Sequence, residues 1–167
     1  TNPYIEAFFK WWESDLQHTL DELRLTGGEP LMSSHTWRLL DWLKESKSKV
    51  QFAMNSNLGL DNKTMHKLLD TTKGIKNFHL YTSNESIGKQ SEYIRDGLNW
   101  EQWTSNMDLL LEEGNLKGLH VMCTINALCF DTLPEFLSWC VDKKEMYGKD
   151  FPNFTLNILR FPSFQSP

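Results

Sequence analysis

Apolar and polar positions along this chain switch between two periods. Five short runs carry β-branched and aromatic residues with the two-residue alternation of a strand. They are DELRLT (21–26), VQFAMNS (50–56), KNFHLYT (76–82), GLHVMCTIN (118–126) and NFTLNILRF (153–161). Between them, apolar residues recur at spacings of three and four, the mark of one helical face. These helical stretches run from His35 to Lys47, Asn62 to Thr71, Trp100 to Glu113 and Thr132 to Met146. A further helix, Pro3 to Leu20, precedes the first strand, and its AFFKWW segment (7–12) is an aromatic face that needs a neighbour.

Strands that alternate with helices pair in parallel through right-handed crossovers. The expected fold is therefore α/β, built on a parallel sheet. Residues 83–98 show neither period and are expected to form an extended loop. No low-complexity segment or Pro/Gly-rich linker interrupts the pattern, so residues 1–167 read as a single domain.

Composition narrows the function. Hydrophobic residues make up 40% and charged residues 23%, values of an ordinary globular chain. Net charge is −5 with no basic block, which argues against a nucleic-acid partner. No apolar run reaches membrane-spanning length, so no membrane partner is expected. The three cysteines, Cys123, Cys129 and Cys140, follow no disulfide framework. Free thiols fit a reducing, cytoplasmic setting.

In parallel α/β folds, function gathers at the C-terminal ends of strands. There the chain places Gly27, Gly28 and Glu29, then Asn55 to Gly59, then Ser83, Asn84 and Glu85, then Thr124 and Asn126, and finally Arg160. Two consecutive glycines remove Cβ atoms and allow unusual dihedrals. A ligand amine could then reach backbone carbonyls and the Glu29 carboxylate together, in a charge-assisted hydrogen bond. The other reading is a plain Gly-Gly turn leading into a helix capped by Ser33 or Ser34.

LRLTGGEPLM (23–32) resembles the GGE segment of the radical S-adenosylmethionine enzymes. The stretch from Leu80 to Gly114 is similar to one found in the sulfatase-maturating and peptide-modifying branch of that superfamily. The resemblance implies that the parallel sheet forms part of a (β/α)6 partial barrel, with strand order following the chain and helices on the outer face, and that it binds S-adenosylmethionine. It implies that Gly27, Gly28 and Glu29 hold the methionine amino group. It also implies that Ser83 and Arg95, twelve residues apart, contact the cofactor, the guanidinium suiting a carboxylate. Asn55 stands where the family often has a TNG-like strand end, from which NSN departs. Thr124 and Asn126 match its fifth-strand TxN segment. Arg160 matches a sixth-strand position that points into the same cavity or toward substrate.

The superfamily's CxxxCxxC run, whose thiolates hold a 4Fe–4S cluster, is absent: the cysteines are six and eleven residues apart. No metal ligand is therefore assigned to this chain. The first strand and its cluster loop are expected upstream of Thr1, so that the cluster's ligands lie outside these residues. The implied activity is that of the larger parent: a reduced cluster cleaves S-adenosylmethionine, and the 5′-deoxyadenosyl radical abstracts hydrogen from a substrate. A peptide or protein substrate is implied, with an electron donor such as a flavodoxin or ferredoxin. No catalytic side chain is assigned. The competing reading is a cluster-less barrel that acts as a binding module. A phosphate-binding enzyme is disfavoured, because no glycine-rich loop here has phosphate-cradling spacing.

Overall fold

The computed structural model describes residues 2–46 and 48–167, so Lys47, at the end of one expected helix, lies outside the described residues. Five strands form one sheet: β1 (Glu22–Leu25), β2 (Gln51–Asn55), β3 (Phe78–Ser83), β4 (Gly118–Ile125) and β5 (Asn153–Ile158). Every pairing is parallel and the order is β1-β2-β3-β4-β5, as expected.

Parallel neighbours that follow one another in sequence put every crossover helix on the same face. Side-chain parity confirms it. Leu25, Met54, Leu80 and Leu119 share one row, and Phe52 and Phe78 stack at 5.7 Å on the same face. Of these, Phe52, Met54, Phe78, Leu80 and Leu119 have no solvent exposure. The other face carries Arg24, Asn55, His79, Tyr81, Ser83, His120 and Met122, which are half-buried or exposed. That open face is the concave side of the partial barrel.

Helix α1 (Pro3–Trp11) starts at Asn2, whose side chain accepts from the Tyr4 amide at 3.0 Å, with Pro3 in the first turn. It continues through a π-helical turn (Trp12–Leu16) into α2 (Gln17–Thr19). The neighbour its aromatic face requires is α3 (Ser34–Ser46). Trp12 is fully buried against Trp42 at 5.4 Å, and the Arg38 guanidinium lies 3.8 Å over the Phe9 ring.

Helix α4 (Asn62–Thr72) is capped by Asp61 and α6 (Trp100–Glu113) by Asn99. Helix α7 (Leu133–Tyr147) ends on Gly148 in the left-handed region, φ +59°. The extended loop expected over 83–98 instead contains α5 (Gly88–Ile94). Its seven residues bury only Ser91, so no apolar period announces it.

Candidate functional site

The C-terminal edge of the sheet encloses a cavity of about 450 Å³, within the range of small-molecule sites. Its walls include Gly27 and Gly28, just after β1, and Arg95 with Asp96, Gly97 and Leu98. Asn55, Ser56, Asn57 and Gly59 after β2, and Ser83 at the end of β3, complete it.

Each wall is held from behind. Gly27 and Gly28 have φ of +88° and +56°, where a Cβ strains the backbone, and a Cβ at either would meet nothing within 4 Å. The glycines are therefore required by dihedral, not by crowding. Gly28→Ala should cost about 1–2 kcal/mol of stability. Gly28→Asn, better tolerated in this region, should cost roughly half of that. Urea denaturation of the three chains checks this; an alanine as stable as the glycine would refute it.

Glu29 is extended (φ −114°, ψ 104°), as a residue before proline prefers. Its carboxylate does not line the cavity. One oxygen accepts from the Leu31 amide at 3.2 Å; the other accepts from Ser56 Oγ at 2.9 Å and the Asn57 amide at 2.8 Å. Glu29 thus fastens the β1 loop to the β2 loop. Of the GGE segment, Gly27 and Gly28 line the space, while the Glu29 carboxylate is engaged by these loop contacts.

The β2 loop is pinned a second time. Asn106 of α6, fully buried, donates to the carbonyls of Leu58 at 2.8 Å and Leu60 at 2.9 Å. Leu58 is buried at φ +55°, unusual for a residue with a branched side chain.

Arg95 is positioned by Glu85. Its Nε and Nη2 donate to one carboxylate oxygen, and the Glu85 side chain is only 3% exposed. Arg95 remains 29% exposed, at the cavity wall. Asn84 organises the loop below: its Oδ1 accepts from the Glu85 amide at 2.9 Å and from Ser91 Oγ at 2.7 Å. Arg95 closes a turn by accepting the Leu98 amide at 2.9 Å, and Gly97 there has φ +83°. Among the described residues, the buried Asn55 Oδ1 finds no hydrogen-bond partner, an acceptor left over beside the cavity.

Gly27, Gly28, Asn55, Ser83 and Arg95 therefore converge on one space. The remaining sequence candidates do not line it. Thr124 is on the open face, in register with Asn157. Asn126 is spent on a turn: Nδ2 donates to the Thr124 carbonyl, and Oδ1 accepts the Leu128 amide. Arg160 is exposed, beyond the end of β5. Sequence reasoning passed over Glu85 as a positioning residue, as well as Asn106 and the Asp96–Leu98 turn. Of these only the Asp-Gly dipeptide carried a local signal, for a turn.

No protein-family model matches the sequence, and no curated protein matches it. Solved structures that share the fold include three of SuiB. SuiB of Streptococcus suis superposes with a TM-score of 0.70 at 14% identity, covering 96% of this chain. SuiB bound to S-adenosylmethionine gives 0.64 at 18% identity over 88% of this chain, which spans 32% of that structure. SuiB bound to the precursor peptide SuiA gives 0.64 at 14% identity over 92% of this chain and 31% of that structure. This chain spans about a third, 35%, of the length of SuiB in the first of these.

Proposed function

We propose that the cavity binds S-adenosylmethionine and that this chain is the cofactor-holding part of a radical S-adenosylmethionine enzyme. The observation that carries the proposal is the pairing of two kinds of lining. Bare glycine backbone and a guanidinium pinned by a buried carboxylate line the same cavity. An amino-acid ligand needs acceptors for its ammonium group and a cation for its carboxylate. The Gly27 and Gly28 carbonyls and the unpaired Asn55 Oδ1 suit the first, Arg95 the second, and Ser83 a hydroxyl contact. The SuiB fold, in one structure bound to S-adenosylmethionine, supports the same reading.

When bound and reduced by one electron, that cofactor supplies hydrogen abstraction from a substrate. This chain's residues would bind and orient it. Its thiols do not fit the cluster such chemistry uses. Burial pushes the Cys123 thiol up to about 12 and raises Cys129 and Cys140 as well, so all three stay protonated. Among the described residues, no group of three His, Cys, Asp or Glu side chains converges as a metal site. The reading therefore assigns the 4Fe–4S ligands to residues outside this chain, and the electron donor, of flavodoxin or ferredoxin kind, to the assembled enzyme. A peptide substrate is the reading that the SuiA-bound SuiB structure supports.

S-adenosylmethionine titrated into the ¹⁵N-labelled chain is expected to shift the amides of Gly27, Gly28, Asn55–Asn57, Ser83 and Arg95–Leu98. Arg95→Lys keeps the charge but loses the planar fork. It should weaken binding about tenfold, the loss of one charge-assisted bond of about 1.5 kcal/mol. Shifts elsewhere, or none at these positions at millimolar ligand, would end the proposal.

A further inference from the structure

Gly118 opens β4 inside the sheet, where glycine contributes no packing and weakens a strand. Its place on the open face explains it. An ideal Cβ there would lie 2.5 Å from His120 Nε2 and 2.6 Å from His79 Nδ1. The missing side chain makes room for two imidazoles to meet.

They meet at 3.2 Å, His79 Nδ1 to His120 Nε2. The ring planes differ by only 16° and the centroids are 5.5 Å apart. That separation is close to the greatest that such a nitrogen contact permits between two five-membered rings. The rings are therefore nearly coplanar and meet edge to edge, and one donates its N–H to the lone pair of the other.

The pair belongs to a larger array. Tyr81 stacks on His120 at 4.3 Å, and the Arg24 guanidinium lies 4.2 Å over Tyr81. Ala53, in register between Arg24 and His79, is itself fully buried. The charged and titratable groups that face the pair are Arg24 and Glu22 from β1 and Tyr81 from β3. Glu22 is itself bound to Arg24 at 2.9 Å and to Gln51 at 3.0 Å. From β2 there is no titratable group, only Gln51, Ala53 and Asn55. Asn55 and Ser83 belong both to this face and to the cavity wall, so the array lies directly below the cavity along the strands.

We propose that His79 and His120 form one acid–base site that takes up a single proton and exchanges it with an N–H or O–H group of a substrate on the open face. The proposal rests on the functional reading above, which places substrate next to the cavity. In the forward step the substrate X–H bond breaks and X keeps the electron pair. The proton goes to the pair, which becomes an imidazole–imidazolium; the reverse step returns it. A second imidazole helps because the N–H⁺···N bond formed on protonation is charge-assisted.

Burial lowers the pKa of both rings below the ordinary 6.5; Arg24 lowers both further, His79 also lowers His120, and Glu22 partly offsets this at His79. Both are thus neutral and able to accept a proton at neutral pH. Since the unfolded chain protonates first, the stability the pair contributes is present above the ordinary 6.5 and is lost as pH falls below it.

Ring-nitrogen shifts of the ¹⁵N-histidine-labelled chain, followed against pH without S-adenosylmethionine, test the site. His79 and His120 should move together, at a pH below the ordinary 6.5 of a histidine. Gly118→Ala should split them into two independent curves, with backbone amides reporting that the fold is kept. If that variant does not fold, His79→Gln should shift the curve of His120. Independent curves already in the wild type, unchanged by either variant, would overturn the proposal. Carbethoxylation at pH 7, read by mass spectrometry, should modify the pair within tenfold of the rate at His18, and full protection of both rings would also overturn it. A failed cofactor titration leaves these readouts intact, so the two proposals fall separately.

Discussion

Trp103→Ala should cost about 3–5 kcal/mol, the range for removing a large buried aromatic ring. For a domain whose total stability is about 5–15 kcal/mol, that is a large share. Trp103 has no exposure and sits among Trp100 and Trp139, each at 5.6 Å, and Phe136 at 6.2 Å. It ties α6 to α7 in one step. Its Nε1 also donates to Thr82 Oγ1 at 3.1 Å, and Thr82 is fully buried. Alanine removes the ring and strands that hydroxyl.

Trp103→Phe separates the two effects. It keeps most of the apolar volume and should cost about 1–3 kcal/mol, chiefly for the unpaired hydroxyl. Urea midpoints at constant slope give both numbers. A Trp103→Ala loss below about 1 kcal/mol would mean that the cluster is not a packing centre. The consequence reaches the cavity, because Thr82 precedes Ser83 and α6 also carries Asn106, which holds the β2 loop.

What could be read from the sequence was what repeats. The strands came from periodicity, and FHLYTS in β3 does alternate buried and half-buried at every step, while strand order and the outer-face helices came from the family resemblance. The GGE, Ser83 and Arg95 positions carried the cofactor expectation, and the glycine backbone, Ser83 and Arg95 do share one cavity.

What could not be read depended on partners distant in the chain. Glu29 looks like a ligand group because it follows two glycines, yet its partners Ser56 and Asn57 lie on the next loop. No local pattern encodes that contact. Helix α5 was missed because GKQSEYI has almost nothing apolar to repeat. Gly118 looks like a strand start, and its use appears only when His79 and His120 are seen across it. The apolar alternation of β5 identified a strand but not its environment: Leu156 and Ile158 stay 54% and 62% exposed.

The Glu85–Arg95 pair should show the second large effect, with a marked asymmetry. Arg95→Gln leaves a carboxylate that is 3% exposed without its cation, and should cost about 3–5 kcal/mol. Glu85→Gln leaves a guanidinium that is 29% exposed and can turn toward water, so its cost should be smaller, about 1–3 kcal/mol. Joining the two changes removes both charges at once. The double variant should be more stable than Arg95→Gln alone by at least about 1 kcal/mol, a coupling that adjacent residues can show. Simple addition of the two losses would mean that the pair is not a buried unit. The same variants separate folding from binding. Glu85→Gln retains Arg95 but frees its Nε and Nη2 from their anchor. S-adenosylmethionine affinity should fall about tenfold even so, because a guanidinium that must be ordered on binding gives up the advantage of being held in place. Unchanged affinity in that variant would show that Glu85 serves stability alone and that Arg95 reaches the ligand unaided.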